Sequence, residues 1–463
     1  MHTLDKSRRV LTEAVFRLQE FTKGHRTHAA RREMEVAQWM PGDVLQKLQQ
    51  RRLRALLTHA ARTVPYYASL FRNLGGDFKA ARLTDLPFLT KEIVRQNLDQ
   101  MKSRQARGVR KFSTGGSTGA PMIFYLGPTR ISSDIAARLR AESWFGINIG
   151  DPEFAIWGSP VELTKQDRIR DLRDRLLRTR LLSAFEMSPA TMTRYLDEIS
   201  KLGCRRIFGY PSSIALLCDH ARREGRDLRR LGVKAVFVTA EYLYENWRTI
   251  ISETFNCPVA NGYGGRDSGF VAHECPAGGM HISADRLIVE IVDDHGRMQP
   301  LGSLGEIVVT NMDTPEMPFI RYRTGDVGAL ASKPCACGRT LPLLERIEGR
   351  KTDFVIAPDG RVMHGLSLIY VIREIAGVGA FRITQKRLTD FEVEIVRNPN
   401  YDPGCESLIQ QGFSRRLRAP VAVRVRYSDS IIPTASGKTR FVISEVQPPR
   451  GLTWQPSADQ ENG

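Results

Sequence analysis

The fold is decided by the stretch Arg206–Ala260, which reads RIFGYPSSIALLCDHARREGRDLRRLGVKAVFVTAEYLYENWRTIISETFNCPVA. Short apolar runs of strand length alternate here with segments whose apolar residues recur at helical spacing. Together with the run before it, the pattern predicts strands at Arg206–Gly209, Ala235–Thr239 and Val259–Ala260, and helices at Thr191–Leu202, Ser212–Arg223 and Tyr242–Phe255. Such alternation is typical of parallel β-α units, whose ligand-binding groups lie in the loops after the strands. We therefore expect an α/β fold.

Further strands are predicted at Leu287–Val292 and Glu306–Thr310, and after about residue 346 the pattern changes. The later elements are a hairpin at Phe354–Ile356 with Pro358–Gly360, helices at Leu366–Ile375 and Glu406–Leu417, and strands at Phe381–Thr384, Phe391–Val396 and Val421–Tyr427. About 100 residues of this kind are enough for an independent α+β domain. The sequence thus predicts a large domain over 1–345, a small domain over 346–446 and a disordered tail over 447–463.

The composition is that of a globular protein. The 463 residues are 41% hydrophobic and 26% charged, which excludes collagen-like, coiled-coil and largely disordered chains. Lys and Arg total 68 against 51 Asp and Glu, a net charge of +17. This excess favours an anionic partner, such as a polyphosphate, a nucleic acid or an acidic membrane, without selecting one of them.

The compartment is predicted from two features. The N-terminal residues MHTLDKSRRVLTEAVF contain charges that interrupt any signal-peptide core, and no apolar run reaches the length of a membrane span. Seven cysteines are an odd number scattered over a long chain, which is a poor disulfide framework. We expect a cytoplasmic protein with reduced thiols.

A basic amphipathic pattern at Val44–Arg62 leaves two interpretations. Its leucines lie along one helical stripe among basic side chains. Such a helix can contact a membrane or a nucleic acid, or it can pack on its own domain with its basic face in solvent, which is the more common arrangement.

Five segments carry functional groups. The first, FSTGGSTGAPMIF (Phe112–Phe124), combines glycines and hydroxyls in a way that suits a polyphosphate, although it lacks the Lys-Ser/Thr pair of a Walker A loop. The second, PTASGKT (Pro433–Thr439), holds Lys438 on a glycine-containing turn. The remaining three are NGYGGRDSG (Asn261–Gly269), RYRTGDVG (Arg321–Gly328), which places Asp326 on a predicted turn, and RIEGRKTD (Arg346–Asp353).

In this order, STGGSTGAP, YGGRD, GEIVVTN, RYRTGD, EGRKTD and PTASGK resemble the core motifs of adenylate-forming enzymes. The segments VPYYASLF, LPFLTKEIVR, FGYPSS and AHECPAGGMHI are similar to the branch of phenylacetate–CoA ligases and capsule-biosynthesis proteins. The resemblance covers about residues 50–445. It implies a large adenylate-forming domain with β-sheets flanked by helices, and a small C-terminal α+β lid domain.

The resemblance also implies a reaction and a set of roles. ATP and a carboxylate give an acyl-adenylate and pyrophosphate, and an acceptor, of which CoA is the first expectation, then displaces AMP. Lys438 would neutralise the charge that develops during adenylation, and Asp267 would help to hold Mg²⁺. Tyr263 would stack on adenine and Asp326 would bind the ribose. The implied ATP-binding set is Ser113, Thr114, Gly115, Gly116, Ser117, Thr118, Gly119, Ala240, Glu241, Tyr263, Gly264, Asp326 and Arg350.

The chain departs from the family pattern at three places. Arg266 and Asp267 replace the usual Thr-Glu pair, and Met122 follows the phosphate loop where many relatives have lysine. The hinge implied at Glu348–Asp353 falls near Thr352 and not on an acidic residue. These departures affect the expected metal contact and the expected rotation of the small domain.

A structural zinc site is a further expectation. Cys275 and His281 lie in one predicted loop region, and Cys335 and Cys337 form a Cys-x-Cys segment. Three cysteines and one histidine are a common tetrahedral zinc set, but this spacing is not that of a standard zinc finger. The alternative is a group of reduced loop side chains without a metal. The same segments resemble zinc-containing relatives in this branch, which favours the zinc interpretation.

The acyl pocket is expected near Trp144, Phe145, Tyr210, Pro211 and Thr239. Aromatic walls suit an aromatic or medium-sized apolar acid, although ordinary core packing explains the same residues. Alternatives to a CoA ligase are an adenylating enzyme with an amine or protein acceptor, a nucleic-acid-binding protein and a non-catalytic homologue. The expected partners are a small carboxylic acid, ATP and CoA, and the resemblance is compatible with a homodimer.

Overall fold

The computed structural model describes residues 2–73, 82–114, 122–157, 174, 176–184, 187–293, 295–350, 354–359, 362–364, 366–373, 375–398, 400–431 and 441–446. The predicted tail and Lys438 lie outside these residues. The chain divides into two compact units, the first formed by 1–289, 308–324 and 330–345 and the second by 290–307, 325–329 and 346–463. The predicted limits of the functional domains, at residues 345 and 446, remain predictions.

The first unit contains most of the helices. These are α1 (His2–Thr22), α2 (Thr27–Ala37), α3 (Gly42–Thr63), α4 (Pro65–Asn73), α5 (Lys91–Gln96), α6 (Pro128–Ser143), α7 (Pro189–Leu202), α8 (Pro211–Arg223) and α9 (Glu245–Phe255). Helix α7 begins where Ser188 accepts a hydrogen bond from the N–H of Thr191, and it ends at Gly203, which has a φ of 67°. The helix predicted at Tyr242–Phe255 begins three residues later than predicted, at Glu245. Tyr244 has an extended backbone and precedes the first turn.

Helix α3 packs on its own unit. Its residues Leu45, Leu56 and Leu57 are buried, and the latter two belong to a core cluster with Tyr67 and Phe124. This outcome agrees with the packed-helix interpretation of Val44–Arg62. Among the described residues, none of the helices has the length and apolar character needed to cross a bilayer.

The strands of the main sheet are β3 (Glu153–Trp157), β4 (Thr179–Ser183), β5 (Arg206–Gly209), β6 (Ala235–Thr239), β7 (Val259–Gly265), β8 (Gly269–Glu274), β9 (Met280–Ile282), β10 (Leu287–Val292), β11 (Gly305–Asn311), β12 (Phe319–Leu330) and β13 (Leu343–Arg350). Their order is β10-β11-β12-β13-β9-β8-β7-β6-β5-β3-β4. Strands β4, β3, β5, β6 and β7 are parallel, and β7, β8 and β9 pair antiparallel. The predicted parallel β-α units are therefore confirmed. A separate hairpin joins β1 (Arg110–Ser113) to β2 (Ile123–Leu126).

The second unit contains the predicted α+β elements. They are the hairpin of β14 (Phe354–Ile356) and β15 (Val362–His364), the helices α10 (Leu366–Arg373) and α11 (Glu406–Leu417), and the strands β16 (Val378–Arg387), β17 (Asp390–Arg397), β18 (Ala422–Tyr427) and β19 (Val442–Ser444). The four-stranded sheet has the order β18-β17-β16-β19. Its buried residues include Ile383, Val393 and Phe413, which form the apolar interior of this unit.

One local prediction is wrong. Asp326 was expected on a turn in RYRTGDVG, but it lies inside the long strand β12. The glycine before it, Gly325, has a φ of 79°, and Arg321 has a φ of 50°. Positive φ values of this kind produce local irregularities within a strand, so the glycine does not end it.

Candidate active site and metal centre

Four side chains of the first unit converge on one point. The ligand atoms of Cys275, His281, Cys335 and Cys337 all lie within 4.8 Å of one another. The Sγ atoms of Cys275 and Cys335 are 3.5 Å apart, and His281 Nε2 is 3.1 Å from Cys337 Sγ. The three cysteines and one histidine that the sequence singled out are therefore neighbours in space. This donor set fits a tetrahedral structural zinc ion.

The surrounding backbone positions the side chains of this cluster. His281 lies on β9, not in a loop as predicted, because the strand pairs with both β8 and β13. Its Nδ1 is 3.3 Å from the carbonyl oxygen of Leu341, a contact that assigns the proton to Nδ1 and leaves Nε2 available as a ligand. A Cβ at Gly279 would lie only 2.5 Å from Cys335 Sγ, so the glycine makes room for the thiol.

The electrostatics of His281 and Cys337 suit ligation, whereas burial raises the pKa of Cys275 to about 11. Burial is the largest cause that lowers the pKa of His281, to about 4, and this keeps the imidazole neutral. Burial raises the pKa of Cys337, but hydrogen bonds from the backbone and side chain of Arg339 more than offset it, so the pKa of that thiol is lowered. Neutral imidazole and thiolate are the forms that bind zinc.

Trp144 belongs to this cluster. Its ring lies edge-on to His281 with the centroids 5.5 Å apart, and the guanidinium of Arg339 lies 4.7 Å from its centroid. The indole Nε1 donates a hydrogen bond to Gln38 Oε1 at 2.8 Å. The structure thus places Trp144 beside His281, and its expected role as an acyl-pocket wall remains a prediction.

The segment NGYGGRDSG forms a hairpin. Strand β7 continues through Gly265, β8 begins at Gly269, and the three residues between them form the turn. A Cβ at Gly264 would lie 2.0 Å from the carbonyl oxygen of Gly269, so only glycine fits there. Tyr263, half-buried, places its hydroxyl 3.5 Å from Thr324 Oγ1.

Asp267 lies on this turn and is held from two sides. Its Oδ2 accepts a 2.6 Å hydrogen bond from the hydroxyl of buried Tyr322, and its Oδ1 accepts one from the N–H of Ser268 at 3.0 Å. The fully buried guanidinium of Arg130 donates to the carbonyl oxygen of Asp267 at 3.4 Å and pairs with Asp134 at 2.9 Å. The carboxylate is therefore fixed on a rigid turn, where it could bind a hard cation.

The ends of β6 and β7 lie side by side. Thr239 and Gly262 are partners in the parallel register, so the chain continues from this point into Ala240–Glu241 on one strand and Tyr263 on the other. Ala240 has a φ of 72°, an uncommon value for alanine. Glu241 Oε2 accepts a hydrogen bond from the N–H of Ser212 at 3.2 Å, in the first turn of α8. The two expected nucleotide-binding segments therefore begin at adjacent positions.

A small cavity of about 10 Å³, roughly the space of one water molecule, lies at this edge. Its apolar wall consists of Ala141, Phe208, Phe237, Val238, Ala260 and Phe270. The rest of its lining consists of Arg138, Glu142, Thr239, Gly262 and His273. Of the expected pocket residues, Thr239 lies in this lining.

The charged side chains in the cavity wall are paired with opposite charges. Arg138 pairs with Glu142 at 2.7 Å and with Glu153 at 2.8 Å, and Arg206 pairs with the same two carboxylates. Burial by itself raises the pKa of Glu153, but Arg138 and Arg206 more than compensate and hold it at about 2. Two cations and two anions thus form a balanced group.

The other expected pocket residues pack near the cavity or beside its strands. Phe145 contacts the cavity residue Phe237 edge-on, with the ring centroids 5.4 Å apart. Tyr210 stacks on Trp157 at 4.3 Å, and Pro211 is the buried first residue of α8. Among the described lining residues, only Thr239 comes from the expected set, so the roles of Phe145, Tyr210 and Pro211 remain predictions.

The phosphate-loop candidates are described in part. Ser113 ends β1 opposite Ile123, and the hydroxyl of Thr114 accepts a hydrogen bond from the N–H of Met122 at 3.0 Å. Gly115 to Gly119 lie outside the described residues, as do Lys438 and the side chain of Arg350. Asp326 lies in the second unit.

Comparisons with known proteins agree with this fold and these motifs. Residues 355–445 match the CapK C-terminal domain. Over 408 residues the chain is 24% identical to protein CapK of Staphylococcus aureus, covering 87% of this chain and 89% of CapK. It is 25% identical over 340 residues to the phenylacetate–coenzyme A ligase of Thermus thermophilus, covering 68% and 73% respectively. The crystal structure of a 2-hydroxyisobutyryl-CoA ligase superposes with a TM-score of 0.71 at 20% identity, covering 88% of this chain and 91% of the ligase.

The family model and these relatives support a place in the adenylate-forming superfamily, in the branch of CapK and the phenylacetate–CoA ligases. The phenylacetate–CoA ligase relatives likewise support an AMP-forming ligase.

Several side chains of this site were not found by sequence reasoning. Arg130 and Tyr322 fix the Asp267 turn, and His273 lines the cavity. The only sequence signal for His273 is its position in AHEC, two residues before a predicted metal ligand. Arg130 gives a weaker signal still, because a basic residue early in a helix usually faces solvent.

Proposed function

We propose that this protein uses ATP to activate a small carboxylic acid and then transfers the acyl group to CoA. In the first step a carboxylate oxygen attacks the α-phosphorus, a P–O bond forms, and pyrophosphate leaves. In the second step the CoA thiolate attacks the acyl carbon, and AMP leaves with the electrons of the broken C–O bond.

One observation carries the proposal. Thr239 and Gly262 both line the cavity and are register partners, and each leads directly into a segment that the family resemblance assigns to ATP. An acid bound at these two strand ends would therefore lie beside the nucleotide. Holding the two reactants together in this way accounts for much of the rate enhancement expected of such a site.

The individual roles follow the resemblance. The Ser113–Gly119 segment would bind the β- and γ-phosphates, Tyr263 and Gly264 would contact adenine, and Ala240 and Glu241 would complete the nucleotide site. Asp326 and Arg350 would contact the ribose. Asp267 would bind Mg²⁺, which neutralises phosphate charge when present. The four cysteine and histidine ligands would hold a structural zinc ion that connects two chain segments. Lys438 would stabilise the transition state of adenylation.

Acid-dependent exchange of pyrophosphate into ATP tests the first step. We expect exchange with at least one acid from a panel of aromatic and aliphatic acids, and loss of about 10²–10³-fold in the Lys438→Ala variant. Lys386→Ala is the matched control, because Lys386 lies in the same unit and makes an ion pair with Glu445 at the surface. Exchange at the wild-type rate in Lys438→Ala would remove that residue from the mechanism.

The acceptor is tested separately. Release of AMP that depends on CoA is expected in the presence of the preferred acid. If amines replace CoA as the required acceptor, the protein is an adenylate-forming amide ligase and the second step is revised. A rotation of the small domain about Glu348–Asp353, a cytoplasmic location and a homodimer remain predictions.

A further inference from the structure

Helix α1 is attached to the first unit through one face. On this inner face Thr12 and Glu20 are buried. The Thr12 hydroxyl donates to a backbone carbonyl oxygen at 3.1 Å, and Glu20 accepts a 2.7 Å hydrogen bond from the N–H of Thr27. Between them, the ring of Phe16 lies edge-on to His28 with the centroids 5.4 Å apart. Positions 12, 16 and 20 follow each other at helical spacing, so they define the side of α1 that packs on the protein.

The opposite face of α1 is apolar and exposed. It carries Val10, Leu11, Ala14, Leu18 and Phe21, and all five are exposed. At 3.6 residues per turn these positions fall within an arc of about 100°. Phe21, at 84%, is the most exposed large apolar side chain in the part of the chain that the structure describes. Apolar side chains grouped on a surface in this way are typical of an interaction site.

The chain around this apolar stripe is basic. Residues 2–32 contain eight Lys and Arg against three Asp and Glu. Arg17 adjoins the stripe with 67% of its side chain exposed and pairs with Glu13 at 3.2 Å, and Arg26 is exposed just after the helix. Glu20 is buried on the inner face and adds little negative charge to the surface. The surface of this segment is therefore apolar along one stripe and positive overall.

Charge and polarity together select the partner. A second copy of the chain would bring two equally basic segments together, which opposes pairing through this face. A nucleic acid would neutralise the positive charge but would not cover the apolar stripe. A bilayer with anionic lipids supplies negative headgroups and an apolar layer directly beneath them, and it binds helices that lie parallel to its surface.

We propose that the outer face of α1 binds the surface of a bilayer that contains anionic lipids. The helix lies in the interface, with Leu11, Leu18 and Phe21 among the acyl chains and the basic side chains at the headgroups. Helix α3, which the sequence indicated as a possible membrane contact, instead packs its leucines into a core cluster. The inference does not depend on the proposed reaction.

Co-sedimentation of the full-length protein with lipid vesicles tests the proposal. One set of vesicles is phosphatidylcholine, and the other also contains about 30% phosphatidylglycerol. We expect the wild type to bind the anionic vesicles at least roughly tenfold more strongly, and raised salt to weaken this binding by screening the charges. In a variant with both Leu18→Gln and Phe21→Gln, binding should fall roughly tenfold or more, because two apolar side chains are lost from the interface.

The matched control carries Leu202→Gln and Leu301→Gln. These leucines are 62% and 59% exposed and lie outside α1, so their substitution should leave vesicle binding unchanged. Glutamine has a helix propensity close to that of leucine, so the α1 variant should keep its helix. Thermal melting of each variant checks that the fold is retained.

Two results would overturn the proposal. The first is a wild type that does not bind anionic vesicles, or an α1 variant that binds them as strongly as the wild type, since charge alone would then explain the binding. The second is a wild type that is dimeric by light scattering and an α1 variant that is monomeric, without vesicle binding by either. The stripe would then be a contact between two copies of the chain.

Discussion

The hydroxyl of Tyr322 donates a 2.6 Å hydrogen bond to Oδ2 of Asp267, although the two residues are 55 positions apart in the sequence. Tyr322 is fully buried on β12, and Asp267 lies on the turn between β7 and β8. The contact joins two of the motifs that identify the family. It fixes the carboxylate that is proposed to bind Mg²⁺, in the way that neighbouring groups usually orient metal ligands.

Removal of this hydroxyl should weaken the metal site. We expect Tyr322→Phe to raise the Mg²⁺ concentration needed for half-maximal pyrophosphate exchange, with a loss of roughly tenfold at limiting Mg²⁺, because the carboxylate is no longer held in place. The measurement is a Mg²⁺ titration of exchange. Tyr195→Phe is the control, since it removes a tyrosine hydroxyl whose hydrogen bond goes to the backbone carbonyl of Ser183, not to Asp267. An unchanged Mg²⁺ dependence in Tyr322→Phe would argue against Asp267 as the metal ligand.

The cysteine and histidine cluster should contain zinc. We expect about one zinc ion per chain by elemental analysis after purification without chelators, and loss of most of it in Cys335→Ser, because a structural site needs all four ligands. Loss of a few kcal/mol of binding energy should lower Tm by about 5–10 °C. Cys405→Ser is the control, because Cys405 lies in the second unit, outside the cluster. A wild type that contains no zinc and is insensitive to chelators would refute the metal assignment.

Gly264 should not tolerate a side chain. A Cβ there meets the carbonyl oxygen of Gly269 at 2.0 Å, so Gly264→Ala must displace one strand of the hairpin that carries Tyr263 and Asp267. We expect a rise of roughly tenfold or more in KM for ATP. Gly42→Ala is the control, because a Cβ at that position meets nothing within 4 Å. A variant with normal ATP kinetics would show that the hairpin does not contribute to nucleotide binding.

The buried ion-pair group should make stability depend on pH. The pKa of Glu153 is about 2 in the folded protein against 4.5 for an unperturbed glutamate. Because the folded pKa is depressed, its contribution is complete above pH 4.5 and is lost as the pH falls from about 4.5 to 2. Chemical denaturation across this range should show the decline.

In Glu153→Gln we expect a loss of about 3–5 kcal/mol at neutral pH, since Arg138 and Arg206 remain buried with one partner fewer, and a flatter pH profile in acid. Glu253→Gln removes only an exposed ion pair with Arg222 and should change stability little. Equal effects of the two substitutions would contradict the importance of the buried group.

The sequence by itself determined the local elements and the family. The periodicity of apolar residues within windows of about ten residues predicted β5, β6, α8 and most elements of the second unit. This is possible because the spacing of apolar residues in a segment depends on which of its faces is buried. The grouping of Cys275, His281, Cys335 and Cys337 was also predictable, since two short motifs carry the ligands. In RYRTGDVG the same local reasoning was wrong, because a glycine permits a turn but does not require one.

Tertiary structure alone decided which distant residues meet. The position of Trp144 beside His281, the contact of Tyr322 with Asp267, and the proximity of His273 to Gly262 all depend on strand order and register. A shift of one residue in register would turn His273 to the other face of its strand, and its own sequence would not change. Local propensities are set by neighbours in the chain, whereas the cavity is set by packing between segments that the sequence keeps far apart.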